Sequence, residues 1–452
     1  MALDDPRPFK SLIEVDPERH SFRVNRAAYK SAEVFEREKQ MIFSKCWLYL
    51  GHGTELKNNG DYHTRRVGGR NIIFLRDRKG EVRAFFNTCT HRGSKICRER
   101  NGSARIFTCP YHGWVFDTEG KLKSQNTSTG YDEAINEDGH LNLHPVPRLE
   151  QYRNFWFLNY NPNAITLLEY LADATVAIDA ICDQTEAEQA IIEGEHSYTI
   201  RANYKLLAEN SYDGYHLLTV HESYLDFLRD QFEAKKDQLT DANTDTSLKG
   251  YSNYGASRCL GMGHAVLDSY VPTGRPVAQW LPTMGLDIKD EIEAKKARLV
   301  ELHGEERANY IAETQKNMVI FPNLVINDIV STTIRYIEPE SHDFMRVTNW
   351  AFGPSDESER LRALRLDNFI SFLGPAGFGS PDDIEMLELC QNAAEHAPIE
   401  YSEISKGMNW TGDPRKLTGA SDDELQMQAY WTQWDLVMRG IETLERKPGD
   451  AA

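Results

Sequence analysis

The period of the apolar positions changes twice along the chain. Over residues 31–45, Val34, Phe35, Met41 and Ile42 mark one face and Glu36, Arg37 and Lys39 the other, the spacing of an amphipathic helix. From Trp47 to about Asn161 the apolar runs become short, β-branched or aromatic. Asn71-Ile72-Ile73-Phe74-Leu75 and Phe155-Trp156-Phe157-Leu158 read as strands, broken by Gly and Asn-Gly. Helical spacing returns over 165–190. Beyond it the pattern predicts strands at about 190–202 and 330–352, and helices at about 204–217, 288–316, 356–371, 382–396 and 423–446. Residues 233–285 are polar and rich in Gly and Ser, which predicts a long irregular excursion. The fold class expected is α+β. An all-β domain over 47–161, a small barrel or sandwich, precedes an α+β domain over 162–452, an antiparallel sheet flanked by helices in a helix-grip-like arrangement. Residues 1–46 are expected to form a helical segment packing on that second domain.

Composition narrows the class. The 452 residues suffice for two or three domains with their own cores. No apolar run approaches the roughly 20 residues of a membrane span, so none is expected. Met-Ala-Leu-Asp-Asp-Pro-Arg-Pro has no basic region leading into an apolar one, so no secretory signal is expected. The cysteines number seven, an odd count, and Cys89, Cys97 and Cys109 fall close together; this suits a reducing, cytoplasmic setting. A net charge of −18 argues against nucleic acid, whose phosphates would be repelled.

The candidate chemistry begins with Cys89-Thr90-His91 and Cys109-Pro110-Tyr111-His112. Two cysteines and two histidines in this order are the donor set of a Rieske [2Fe–2S] cluster, with thiolates on one iron and imidazoles on the other. A structural zinc site is the rival, but its usual knuckles are C-x2–4-C paired with H-x3–5-H, and here each knuckle is mixed. Cys89 and His91 point the same way on an extended segment. Cys109 and His112 enclose a proline that forces a turn. Asn87, Arg92 and Gly93 on the first loop, and Gly113 and Trp114 on the second, complete two facing loops.

A second group lies in 203–221. Glu209 and Asp213 are four apart and share a helix face, with His216 three further on. His221 follows His216 by five, which points it about 140° away on a helix. For both imidazoles to reach one metal, the helix must end or bulge between them. Non-haem Fe(II) sites add one carboxylate to two histidines. Gly374-Pro375-Ala376-Gly377-Phe378-Gly379-Ser380-Pro381-Asp382-Asp383 could aim one. Alternatively, Ser380, Asp382 and Asp383 simply cap the helix that follows.

C-T-H-R-G-S…C-P-Y-H-G-W, E-N-x-x-D-G-Y-H-x4-H and G-P-A-G-x4-D-D together resemble the motifs of Rieske ring-hydroxylating oxygenase large subunits, in the family's order and over nearly the whole chain. The resemblance implies that Cys89, His91, Cys109 and His112 hold the cluster and that His216, His221 and Asp383 bind a mononuclear non-haem Fe(II). It makes Asp213 the catalytic link between His216 and His112 of the partner subunit, with Glu209 supporting the iron ligands without touching the metal. Tyr204, where many members have Trp, implies a packing change only. Respiratory Rieske proteins carry an extra cysteine in each loop; Ser94 and Tyr111 occupy those places here, so that disulfide cannot form. The cluster potential is then expected low within the range of roughly −150 to +300 mV.

The family also implies O2 as co-substrate, electrons from NAD(P)H through a ferredoxin and/or reductase, and a homotrimer of large subunits, some members adding a small β subunit. Arg92, Lys95, Arg98, Arg100 and Arg105 read either as a docking patch for an acidic donor or as a solvated loop. The short Glu-Asn-x-x-Asp-Gly-Tyr-His form looks more like enzymes acting on benzoate, salicylate, anthranilate or p-cumate. An aromatic carboxylate is therefore expected, with cis-dihydroxylation favoured; ring monohydroxylation and dioxygenation of a neutral hydrocarbon stay open. Arg335 and Arg258 are candidates for the substrate carboxylate, with a structural ion pair as the alternative. Asn210, Leu217 and the Val319–Phe321 and Leu324–Ile326 runs are candidate pocket lining, the runs being equally core strand. A pure Rieske electron carrier is disfavoured by the roughly 290 residues after the cluster domain. A zinc-stabilised binding protein would be colourless.

Overall fold

The computed structural model describes residues 9–127, 129–132, 134–234, 255–270, 277–408 and 418–446. The chain divides into two units: one comprises the residues up to Ile42 with Leu168–Thr443, the other Phe43–Leu167 with the stretch from Leu444.

The second of these is built from short antiparallel strands. Val82–Phe86, Arg70–Arg76, Asp61–Val67 and Asn101–Ser103 make one sheet. Arg148–Tyr152, Phe155–Asn159 and Leu48–His52 make a second, and Leu122–Ser124, Val115–Asp117 and Ile106–Thr108 a third. The apolar runs pack inward: Ile73, Leu75, Phe85, Ile96, Phe107, Trp114 and Phe116 form one core that also encloses Cys89 and Cys109. Burying such side chains stabilises by about 1.5–3 kcal/mol each.

The other unit centres on a nine-stranded antiparallel sheet. Its order runs Gln189–Ile191, Phe344–Pro354, Thr332–Ser341, Leu324–Asp328, Gln315–Ile320, Ala265–Ser269, Gly255–Cys259 and Thr418–Ala420, with His196–Ile200 also paired to Phe344–Pro354. Leu425–Met438 packs its buried Tyr430, Trp431 and Trp434 in this unit. The N-terminal helix Ala32–Met41 is tied here by Glu38. That fully buried carboxylate pairs with Lys205 Nζ at 2.6 Å and accepts from Trp434 Nε1 at 2.7 Å and from Tyr204 Oη at 3.3 Å. Breaking such a pair from one side strands a charge. Tyr204 is thus a hydrogen-bonding core residue.

Several expected elements differ. Most of 233–254 and 271–276 lie outside the described residues, but Gly255–Cys259 and Ala265–Ser269 are sheet strands, not irregular chain. The helix expected at 288–316 is two, Lys289–His303 and Glu305–Ala312, parted by Gly304 at φ +76°, a conformation that favours glycine. The helical stretch expected over 165–190 ends at Cys182 and gives way to a strand at Gln189. Val319–Phe321 and Leu324–Ile326 are fully buried, so the core-strand alternative holds for them.

Strand register sorts the side chains by face. Leu267 opposes Asn317, and Asn317 opposes Asn327; Ser269 opposes Gln315; Val325 opposes Arg335. Because side chains alternate along a strand, Leu267, Ser269, Gln315, Asn317, Asn327 and Arg335 share one face.

Candidate active site

In the cluster unit, the two knuckles are copies of one local design. The Cys89 carbonyl accepts from Gly93 N at 2.9 Å and its N–H donates to Ser94 O at 2.8 Å; Cys109 does the same with Gly113 N at 3.0 Å and Trp114 O at 2.8 Å. Each loop closes through a glycine at positive φ, +75° for Gly93 and +70° for Gly113, where a side chain would be strained. Asn87 braces the first loop: its Oδ1 accepts from Ile96 N and Cys97 N, and its Nδ2 donates to Cys97 O.

These loops bring the four predicted donors together. The His91 and His112 rings lie 4.6 Å apart, and His91 stacks on Trp114 at 4.7 Å and 8°. Burial pushes the Cys89 thiol up. Burial also acts to raise Cys109, but the N–H groups of Tyr111 and His112, then Cys89 and Ser94, outweigh it and hold Cys109 below the usual thiol value. His91 Nδ1 is buried with no hydrogen-bond partner among the described residues. An unmet buried acceptor costs about 1–3 kcal/mol, so a ligand-binding role fits this atom. Cys97 is in no disulfide.

In the catalytic unit, Asn203 caps the Tyr204–Asn210 helix by accepting from Lys205 N at 3.1 Å. The helix stops six residues before His216, earlier than the expected 204–217. Asp213 ends it: its Oδ1 accepts from Tyr215 N at 2.7 Å, a side-chain turn that competes with the helix. Gly214 then passes so close to the Ser421 carbonyl that a Cβ would lie 2.1 Å away. The chain turns there and resumes as Leu217–Val220, with His216 and His221 at its two ends.

His216 Nε2 lies 3.2 Å from His221 Nε2, and each is 3.4 Å from Asp383 Oδ1. Three donors at right angles on a metal with bonds of about 2.1 Å would sit about 3 Å apart, so this set could hold one cation on a face. Asp383 comes from the first turns of Gly379–His396. That helix has no side-chain cap, Ser380 donates to Leu373 O and Asp383 is buried, so capping is not what these residues do.

The electrostatics call for positive charge here. Burial disfavours a charged His216, yet the Asp213 and Asp383 carboxylates outweigh it and hold the imidazole up to about 10. Burial lowers His221. Burial also opposes charge on Asp383, but His216 and His221 keep its carboxyl below the usual range. Asp213 Oδ2 lies 3.1 Å from His216 Nδ1, which orients Nε2 toward the other two donors. Asn210 Nδ2 donates to Asp383 Oδ1 at 3.0 Å.

The triad opens on a cavity. Asn210 and Leu217 line it, as do Tyr224, Leu225, Ile329 and Phe372 on its apolar side. Ser269, Gln315, Asn317, Asn327 and Arg335 line it from the sheet face defined above. Sequence reasoning missed the first four of these polar residues; the available signal was polar side chains at alternate positions in otherwise apolar strands.

Glu209 is not with the triad. Its carboxylate accepts from Tyr29 Oη at 2.8 Å and from Trp431 Nε1, and burial pushes it up to about 7. With the helix ended at Asn210, Glu209 and Asp213 no longer share a face, which removes the geometric reason for expecting Glu209 behind the iron ligands. Arg258 is engaged by Asp268 at 2.5 Å and by Tyr310 Oη at 2.7 Å, in another cavity. Arg92, Lys95, Arg98, Arg100 and Arg105 are exposed.

A mixed Cys/His pocket in a β unit, with a two-His, one-carboxylate set in a sheet-and-helix unit, defines an iron-dependent oxygenase architecture. Residues 46–135 match the Rieske [2Fe-2S] domain and residues 188–440 the catalytic domain of the ring-hydroxylating alpha subunit. The chain is 32% identical to the 2-halobenzoate 1,2-dioxygenase large subunit of Burkholderia cepacia, over 96% of this chain and 93% of that one. It is 30% identical to the toluate 1,2-dioxygenase subunit alpha of Pseudomonas putida, over 94% and 93%. The structure of naphthalene 1,2-dioxygenase from Rhodococcus sp. bound to indole superposes with a TM-score of 0.76 at 25% identity, over 92% and 94%. The chain belongs to the ring-hydroxylating oxygenase alpha-subunit family, the large subunits of Rieske non-haem iron oxygenases. A [2Fe–2S] cluster and a mononuclear non-haem iron are its metal centres, and a small aromatic substrate, O2 and an external electron donor are its reaction partners. No helix among the described residues is long and apolar enough to cross a membrane.

Proposed function

We propose that this large subunit hydroxylates a ring that carries a carboxylate, by cis-dihydroxylation, with electrons from NAD(P)H delivered through a ferredoxin and/or reductase. One observation carries the reading: the cavity beside the triad has an apolar wall for a ring and, on the sheet face, a buried guanidinium for an acid group. The relatives named for 2-halobenzoate and toluate support it. Cys89, His91, Cys109 and His112 hold the cluster in this reading, and His216, His221 and Asp383 the iron. When bound, the cluster supplies single electrons and the iron activates O2. The chain's own residues orient these groups. Asp213 keeps the His216 proton on Nδ1, Asn210 positions Asp383 by donating to the Oδ1 that faces both imidazoles, and the apolar wall excludes water from the ring. Purified protein with a reductase system and a panel of aromatic acids and neutral arenes is expected to give diols of the acids, identified by mass spectrometry. Turnover of neutral arenes alone would overturn the acid assignment.

The electron donor docks, in this proposal, on the cluster loops. Exposed Tyr111 (56%) and Ile106 (51%) lie in the same stretch of chain as exposed Arg92, Lys95, Arg98, Arg100 and Arg105, apolar and basic groups together in an otherwise acidic chain. Replacing Arg98 and Arg100 with Glu is expected to raise the apparent KM for the donor about tenfold at low salt, with the gap closing as ionic strength rises. An unchanged KM across ionic strengths would show the loop to be solvated only. Tyr215 (59% exposed) and Leu218 (45%) flank Asp213 and support a contact with a second copy, consistent with a trimer of large subunits, with or without a small subunit.

A further inference from the structure

Among the described residues, Arg335 is the single arginine or lysine lining the cavity, and it carries no ion pair there. It is 2% exposed, and its Nε and Nη2 are buried without a hydrogen-bond partner there. A guanidinium stays protonated in a protein, and a buried charge with no partner is strongly unfavourable. Buried Arg365 and the partly buried Arg258 and Arg65 avoid that state. Arg365 pairs with Glu357 at 3.0 Å, Arg258 with Asp268, and Arg65 with Glu55. Arg335 is set on the triad-cavity side of its strand, opposite Val325 and Asn349, neither of which offers charge.

The identity of the two unmet atoms is informative. Nε–H and the adjacent Nη2–H form one edge of the guanidinium, and their spacing matches the two oxygens of a carboxylate. Asn317 and Asn327, joined by an Nδ2 to Oδ1 bond of 2.8 Å, lie on the same face and add neutral polar groups to that end of the cavity. Phe372, Leu225 and Ile329 supply the apolar wall.

We propose that Arg335 determines specificity for acids by binding the substrate carboxylate through a forked pair of hydrogen bonds from Nε and Nη2, fixing which edge of the ring meets the metal triad. The proposal rests on the carboxylate reading above. It makes the missing counter-ion of Arg335 the substrate itself, so that acids gain an ion pair and neutral arenes leave a charge stranded. A neutral ring is thereby rejected by the same group that holds an acid.

The test uses the metal-loaded enzyme with benzoate, 2-chlorobenzoate and 3-methylbenzoate, each set against benzene, chlorobenzene and toluene. For Arg335→Gln, calorimetric affinity for the acids is expected to fall on the order of 100-fold, and the acid-to-arene ratio of kcat/KM to fall with it. Arg335→Lys, which keeps the charge and loses the fork, should lie between the two. Without ligand, Arg335→Gln is expected to melt no lower than wild type, since a stranded charge has been removed; benzoate should raise the melting temperature of the wild type and not of the variant. Acid turnover by wild type with unchanged acid affinity in both variants would overturn the role of Arg335 and leave the carboxylate reading standing. Should Arg335→Gln fail to fold, an Arg335→Lys variant with wild-type affinity would do the same. Wild type that binds none of the acids but oxidises the arenes would overturn both.

Discussion

Asp213→Asn is expected to retain both metal centres and to lose at least about 100-fold in product formation, the upper end of what removing a ligand's hydrogen-bond partner costs. The carboxylate sits 3.1 Å from His216 Nδ1 and takes its other bond from Tyr215 N. An amide keeps an acceptor oxygen in that place, so the ring can still be oriented with Nε2 facing His221 and Asp383. What disappears is the negative charge. Burial works against a charged His216, and Asp213 with Asp383 reverses that balance. Asn also offers an N–H group, and if it turned that toward Nδ1 it would favour the wrong tautomer. Iron analysis, product quantification and stopped-flow oxidation of the reduced protein separate these effects. Normal product formation by a fully metallated variant would remove Asp213 from the mechanism.

Asp383→Ala is expected to lower iron from about three to about two atoms per chain while the red-brown colour of the cluster persists. Asp383 is the one anionic donor of the His216/His221/Asp383 set, and its oxygen lies 3.4 Å from both imidazoles. Without it, two neutral nitrogens remain to hold a weakly bound divalent ion, and Asn210 loses its acceptor. Aromatic hydroxylation should vanish with the metal. The electron paramagnetic resonance signal of the reduced cluster should not change, because the substitution lies in the other unit of the chain. Undiminished iron content would show that the 374–383 loop aims no ligand and that Asp383 serves only its helix.

The cluster loops were legible from their residues because their geometry is local. Each needs a cysteine, a histidine and a glycine at positive φ within five residues, and hydrogen bonds inside that span close the loop. The second site was legible in its residue types and not in its geometry. His216 and His221 share one short segment, but Asp383 arrives from a distant helix, and motif order rather than spacing pointed to it. The helix stop after Asn210 escaped periodicity analysis because Asp213 and Gly214 act through a side-chain turn and a backbone approach to Ser421, a contact made across the fold. Glu209 followed from that miss: on a continuous helix it would face Asp213, whereas the actual chain turns it to Tyr29 and Trp431.

The sequence by itself determined the donor types, their order and the division into a β unit and a mixed unit, since metal chemistry selects side chains and hydrophobic period selects elements. It also named Arg258 and Arg335 as equal candidates for an acid. Only the tertiary structure separated them. Asp268, two residues beyond the Val266 that pairs with Arg258, reaches its guanidinium diagonally from the next strand, while the residues paired with Arg335 are Val325 and Asn349. Whether such a cation is already neutralised depends on which charges the neighbouring strands place within its reach. Strand register fixes that, and register is a property of the assembled sheet rather than of any one strand.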